Sequence, residues 1–244
     1  VVVKVGSSSI SGENAGKIQL IVEALADAHA RGTEVVLVSS GAIATGMPYL
    51  ALDERPVDLA TQQAAAAVGQ NVLIYRYQDA LRPFAIVAGQ VLLTAGDLEN
   101  ATHRSNARRA MERLLGLRIL PIVNENDTVA THEIRFGDND RLAALVAALI
   151  GADALVLLSD IECLYTRPPS ELGGEPIDTV SFGDDLAGFE FGSVVVNSVG
   201  TGGAATKVSA ARVAAEAGIG VLVTSADLVA EALAGEQIGT WFAP

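Results

Sequence analysis

Short Val-rich runs alternate with longer Ala- and Leu-rich segments along the whole chain, and this alternation limits the available folds more than any other feature. Val1 to Val5 and Val35 to Val38 are too short for helices and read as buried strands, each running into a turn of Gly and Ser. Between them, Ala15 to Ala30 places Ile18, Ile21, Val22, Leu25 and Ala26 on one helical face, and Gly32 stops it. Strand, helix, strand makes a βαβ unit, which requires parallel strands. The same reading puts helices over 59–81, 101–115, 142–150, 204–217 and 228–234, and strands over 85–93, 119–123, 154–158 and 219–223. The 101–115 helix carries Arg104, Arg108, Arg109 and Arg113. Residues 167–200 are rich in Pro, Gly and Asp and read as loop and edge structure, with one short strand at Val194 to Val196. The expected fold class is α/β: a three-layer α/β/α sandwich with a mostly parallel central sheet.

Charge and composition remove several functions. Half the residues are hydrophobic and 18% are charged, which excludes a disordered chain. A formal charge of −13 repels a nucleic-acid backbone, so no nucleic-acid partner is expected, and any lysine that binds an anion must do so inside a defined pocket. Cys163 is the single cysteine; it can form no intramolecular disulfide or thiolate zinc cluster, and it reads as a small buried residue. His29, His103 and His132 are scattered and read as structural or surface residues. No apolar run approaches the ~20 residues of a membrane span. Val1 to Lys4 lacks the layout of a signal peptide, so no membrane partner is expected and the cytoplasm is the expected compartment.

In open parallel sheets, ligands bind beyond the carboxyl ends of the strands. Those ends run here into Gly6-Ser7-Ser8-Ser9, Ser39-Ser40-Gly41-Ala42, Asn124-Glu125-Asn126-Asp127 and Ser159-Asp160. Lys4 interrupts an apolar strand. It is either an exposed lysine on an edge strand or an ammonium placed to meet phosphate, with the N–H groups of the following turn beside it. No P-loop pattern occurs. In Gly200-Thr201-Gly202-Gly203-Ala204-Ala205-Thr206-Lys207, three glycines enter a helix whose N-terminus favours an anion. Lys207 stands in that first turn against the helix dipole, as expected if an anion binds there. The same segment fits G-x-G-x-x-A, but too little chain follows to complete a dinucleotide-binding domain. Gly137-Asp138-Asn139-Asp140 precedes an apolar helix. Asp138 or Asn139 would serve as an N-cap, and a carboxylate there could orient the two lysines and help hold Mg²⁺.

These segments fall in a specific order: Val2-Val3-Lys4-Val5-Gly6-Ser7-Ser8, Val38-Ser39-Ser40-Gly41-Ala42-Ile43-Ala44, QAAAAVGQ over 63–70, Gln90-Val91-Leu92-Leu93-Thr94, PIVNENDTV over 121–129, FGDND over 136–140, Leu164-Tyr165-Thr166, and Gly200-Thr201-Gly202-Gly203 with Thr206-Lys207. Across nearly the whole chain this resembles the amino acid kinase family. NENDTV and FGDND are similar to the branch that phosphorylates glutamate, and set it apart from those acting on acetylglutamate, aspartate, carbamate or UMP. The resemblance implies ATP-dependent, Mg²⁺-assisted phosphorylation of the γ-carboxylate of L-glutamate, the first step of proline synthesis. It implies that Ser40, Asp127 and Asn139 bind glutamate. It implies that Ser159, Asp160, Thr201, Gly202, Gly203, Ala204, Ala205, Thr206 and Lys207 bind ATP, and that Lys4 and Lys207 contact phosphate with Asp140 organising them. The metal is expected on the ATP phosphates, with no protein ligand assigned. Homo-oligomers, dimer or tetramer, and proline as a feedback inhibitor are further implications. Many relatives carry a C-terminal PUA domain; residues 1–244 are expected to be one kinase domain without it. Cys163 and Pro168 replace the family's usual Gly and Asp close to the expected nucleotide site, and Ala204 replaces its usual Met. A kinase of another small acid and a silent nucleotide or amino acid binder are the alternatives to an active glutamate kinase.

Overall fold

The computed structural model describes residues 1–10, 14, 16–129, 139–167, 174–184, 186 and 203–244. Its strands are β1 (Val2–Val5), β2 (Val36–Val38), β3 (Ala88–Leu93), β4 (Leu120–Glu125), β5 (Ala154–Ser159), β6 (Leu164–Tyr165), β7 (Pro176–Ile177), β8 (Thr179–Val180), β9 (Gly220–Ser225) and β10 (Thr240–Phe242). Its helices are α1 (Lys17–Ala30), α2 (Ala42–Gly46), α3 (Leu59–Leu81), α4 (Ala95–Glu99), α5 (Ala101–Gly116), α6 (Asn139–Ile150), α7 (Ala204–Glu216) and α8 (Val229–Ala234). Eight strands form one sheet in the order β3-β4-β2-β1-β5-β9-β10-β8, and β6 pairs with β7 separately. From β3 to β9 all neighbours are parallel; β10 runs antiparallel to β9. The sandwich and its mostly parallel sheet are therefore as expected from the alternation of segments. The strand expected at Val194 to Val196 lies outside the described residues.

The two faces follow from period-2 alternation. Val3 and Val5 join an apolar cluster with α1, α3 and α8, whereas Val2 joins the cluster with α5, α6 and α7. Lys4 shares the face of Val2. It is aligned with Val38 on β2 and Leu157 on β5, so β1 is a central strand. Lys4 is only 3% exposed, which rules out the edge-strand reading.

α6 starts at Asn139, three residues before the apolar repeat begins at Leu142. The periodic signal missed a polar first turn, in which Asp140 suits the positive end of the helix dipole. α4 gave no periodic signal because five residues make little more than one turn, and β10, Thr240-Trp241-Phe242, lacks the run of Val and Leu that marks β2.

Thr94 caps α4. The Asp97 carboxylate accepts from Thr94 Oγ1 at 2.6 Å and from the Thr94 N–H at 2.8 Å, and Asp97 Oδ1 lies 2.9 Å from His103 Nδ1. Hydrogen bonding from Thr94, above all its hydroxyl, holds the Asp97 carboxyl below its ordinary value. A carboxyl with a depressed folded pKa stabilises above its unfolded value, near ~4, and stops doing so as pH falls through the folded value. Asp97→Ala is expected to cost about 1 kcal/mol at neutral pH. Thermal melts should show the difference from the unsubstituted protein closing as the pH falls below the ordinary carboxylate range.

Candidate functional site

The parallel register brings the carboxyl ends of β1, β2, β4, β5 and β9 to one edge of the sheet. Lys4 sits one residue from the end of β1. α6 and α7 pack over the same face, and their first turns reach this edge with Asp140 and Lys207. Asp140 is 0% exposed, Lys4 3% and Lys207 6%. Lys4 Nζ pairs with Asp140 Oδ1, and Lys207 Nζ donates to Oδ2 at 3.2 Å. Thr206 Oγ1 also lies 3.2 Å from Oδ2 and 2.8 Å from Gly203 O, and it accepts from the Gly203 N–H at 3.1 Å. One carboxylate thus holds two ammonium groups from opposite ends of the chain, and these three side chains together carry one net positive charge. In a site this dry, such an arrangement is stabilised by an anion between the lysines.

A second, uncharged group lies beside it. Asn139 Nδ2 donates to Ser39 O at 2.6 Å and to Asn124 Oδ1 at 2.8 Å. Ser39 Oγ is 3.0 Å from the Tyr77 hydroxyl, and burial pushes the Tyr77 phenol well above its ordinary value. Gln70, Gln90 and Asn124 join this network from α3, β3 and β4. Ser39, Gln70, Tyr77, Gln90 and Asn124 line one pocket with Leu73, Ile74 and Ile122. Ser40 and Asp127 are half-buried at the ends of β2 and β4. Gly41 follows Ser40 with φ of 88°, a left-handed conformation, and turns the chain from β2 into α2.

Ser159 is buried at the end of β5 and its Oγ lies 3.1 Å from Asp160 Oδ1; Asp160 is exposed. Gly203, Ala204, Ala205 and Thr206 lead α7 into the site. Thr201, Gly202, Gly137, Asp138 and Pro168 lie outside the described residues. Cys163 is half-buried rather than buried, beside Tyr165, and a hydrogen bond with Cys163 raises the Tyr165 phenol above its ordinary value. Gln70 and Gln90 stand in the motifs over 63–70 and 90–94, but the sequence assigns them no role, and Tyr77 stands in no motif. Gln70 stands in an Ala-rich helix, Tyr77 at an ordinary apolar helix position, and their partners lie 54 and 38 residues away.

Among the described residues, no group of three or more His, Cys, Asp or Glu could hold a metal ion. Both Asp140 oxygens face ammonium groups. These donors do not make a cage for a divalent cation.

The amino acid kinase family profile matches residues 1–225. The chain belongs to this family and is an enzyme, a phosphotransferase. It is 74% identical to the glutamate 5-kinase of Leifsonia xyli subsp. xyli, over 100% of this chain and 90% of that protein. It is 73% identical to the glutamate 5-kinase of Clavibacter sepedonicus, over 100% of this chain and 94% of that one. Among solved structures it resembles the carbamate kinase of Giardia lamblia bound to AMP-PNP, with a TM-score of 0.72 at 16% identity over 99% of this chain and 97% of the other. An isopentenyl phosphate kinase gives a TM-score of 0.68 at 18% identity, over 99% of each chain. The two structural likenesses bear on the fold alone.

Proposed function

We propose that this chain transfers the γ-phosphoryl group of ATP to the side-chain carboxylate of L-glutamate, giving γ-glutamyl phosphate and ADP, the first step of proline formation from glutamate. The observation that carries the reading is Asp140 buried between Lys4 and Lys207 at the carboxyl edge of the sheet. The choice of glutamate rests on the names of relatives at 74% and 73% identity.

A carboxylate is already nucleophilic, so the reaction needs no general base. One carboxylate oxygen forms a bond to the γ-phosphorus as the bond to the β–γ bridging oxygen breaks, and that electron pair leaves on ADP. The difficulty is electrostatic: two anions must meet, and negative charge spreads over the transferring group. Lys4 and Lys207 would flank that group, held apart and aimed by Asp140, and would stabilise the charge without reorganising. Mg²⁺ would arrive on the nucleotide phosphates. Ser159, Asp160 and the stretch from Thr201 to Lys207 would hold ATP; Ser40, Asp127 and Asn139 would hold glutamate, with Asp127 suited to its α-ammonium. Homo-oligomers and inhibition by proline belong to the same reading.

ADP release with ATP and Mg²⁺ tests this against a panel of glutamate, N-acetylglutamate, aspartate, carbamate and UMP. Turnover that depends on glutamate is expected; turnover with another member alone would redirect the reading to a sister kinase. Asp127→Ala should raise KM for glutamate by roughly 10- to 100-fold, the worth of a hydrogen bond to a charged group. Its kcat should change far less. An unaltered glutamate affinity would remove Asp127 from the site.

A further inference from the structure

We propose that Gln70 is a positioning residue: it sets the direction of a chain of amide hydrogen bonds that presents Asn139 Oδ1, and not its NH₂, to the acceptor substrate, so that Asn139 reads the substrate's ammonium group. This rests on the glutamate reading above and assigns a polarity to that site.

The two ends of an amide can be told apart only by neighbours whose roles are fixed. Three backbone groups supply such neighbours. The Ser39 carbonyl can only accept, and it takes Asn139 Nδ2 at 2.6 Å. The Glu125 N–H can only donate, and it gives to Asn124 Oδ1 at 2.9 Å. The Glu125 carbonyl can only accept, and it takes Gln70 Nε2 at 3.1 Å. The bonds between these anchors agree with all three: Asn139 Nδ2 donates to Asn124 Oδ1 at 2.8 Å, Asn124 Nδ2 to Gln70 Oε1 at 3.3 Å, and Gln90 Nε2 to the same Gln70 oxygen at 3.4 Å. Turning any one of the Asn139, Asn124 or Gln70 amides round would set N–H against N–H or oxygen against oxygen.

The Asn139 nitrogen is therefore fully used inside the protein, and Oδ1 is the atom it has left for a ligand. L-Glutamate at neutral pH has two carboxylates, which only accept, and one ammonium, its sole strong donor. A hydrogen bond between Asn139 and glutamate must then run from the ammonium to Oδ1. Gln70 matters because Asn124 is 3% exposed. Without an acceptor at position 70, Asn124 Nδ2 is buried without a partner, at a cost of about 1–3 kcal/mol. Rotation of Asn124 relieves that cost and breaks its contact with Asn139. The relay thus runs from α3, behind the sheet, over the ends of β4 and β2 to the first turn of α6.

Steady-state kinetics of Gln70→Met and Gln70→Glu, with glutamate and with glutarate, which lacks the ammonium, test the proposal. Gln70→Met should raise KM for glutamate about tenfold and leave KM for ATP within about twofold. The preference for glutamate over glutarate in kcat/KM should shrink by the same factor. Gln70→Glu keeps an acceptor for Asn124 Nδ2 but faces the Glu125 carbonyl with a second oxygen. It should melt at lower temperature yet hold KM for glutamate within about threefold of the unsubstituted protein. A purely structural role would make KM follow melting temperature in both variants. A Gln70→Met enzyme with unchanged KM and preference, or a Gln70→Glu enzyme with KM raised tenfold or more, would overturn the proposal. If Gln70→Met does not fold, the Gln70→Glu result alone decides. An unsubstituted protein that turns over no glutamate would sink the functional reading and this proposal with it; a glutamate kinase indifferent to Gln70→Met would sink only the proposal.

Discussion

Asp140→Asn is expected to lower kcat by about three orders of magnitude while ATP binding is kept or tightened. Asparagine matches the carboxylate in volume, so the packing of α6 against β1 survives. What disappears is the charge that holds two ammonium groups in one buried site. Lys4 and Lys207 then repel one another and leave the geometry in which they could flank a transferring phosphoryl group. ATP brings negative charge of its own and offsets part of that repulsion, so its affinity does not fall with the rate. Stability should fall as well, because breaking a buried ion group by removing one partner costs about 3–5 kcal/mol. At about 2–4 °C per kcal/mol for a chain of this size, the melting temperature drops by roughly 10 °C. Saturating ATP should restore part of that loss, which a scan with and without nucleotide reads directly. An Asp140→Asn enzyme with near-normal kcat would show that the two lysines need no organiser.

The second large effect is expected from Gly69→Ala. α2 and α3 cross with their backbones in contact, since a Cβ at Gly69 would stand 1.7 Å from Ala42 O and one at Gly46 would stand 1.9 Å from Ala65 O. No side chain can move aside to relieve either clash, because the obstructing atoms are backbone. The helices must separate, and the resulting overpacking costs about 3 kcal/mol or more. The consequence reaches the site, because Ala42 follows Gly41 and Ser40 directly. We expect a melting temperature lower by roughly 10 °C together with a raised KM for glutamate. Gly16→Ala, where a Cβ meets nothing within 4 Å, is the matched control. Equal behaviour of the two variants would mean that the α2–α3 crossing does not constrain the Ser40 turn.

Much of the fold was legible because its signals are local. α3 begins and ends where the sequence placed it, with Asp58 accepting from the Thr61 N–H at 2.8 Å and Pro83 just beyond its end. The loops after β1, β2, β4 and β5 were expected to converge, and a parallel sheet makes that geometry unavoidable. Lys4 was readable only as an anomaly. Whether its strand was central or at an edge depends on pairing with β2 and β5, and no spacing within β1 encodes that. Asn139 and Asp140 were placed at the entry to an apolar helix, with a carboxylate there orienting the lysines, and a family motif gave the same residues; that both lie inside the first turn of α6 was not readable, because the apolar repeat starts after them. Gln70, Gln90, Asn124 and Asn139 all stand in motifs along the chain, but nothing in those motifs shows that the four amides meet. Gln70 meets Asn124 across 54 residues, and glutamine in an Ala-rich helix has no periodicity to betray it.

The site formed by Lys4, Asp140 and Lys207 is proposed to move a phosphoryl group onto a carboxylate. Trapping with hydroxylamine tests it most directly, since an acyl phosphate is converted to a hydroxamate and an ordinary ATPase product is not. With ATP, Mg²⁺ and L-glutamate, hydroxamate should form in step with ADP and fall together with it in Asp140→Asn. ADP release from glutamate without hydroxamate, or hydroxamate undiminished by Asp140→Asn, would contradict the account.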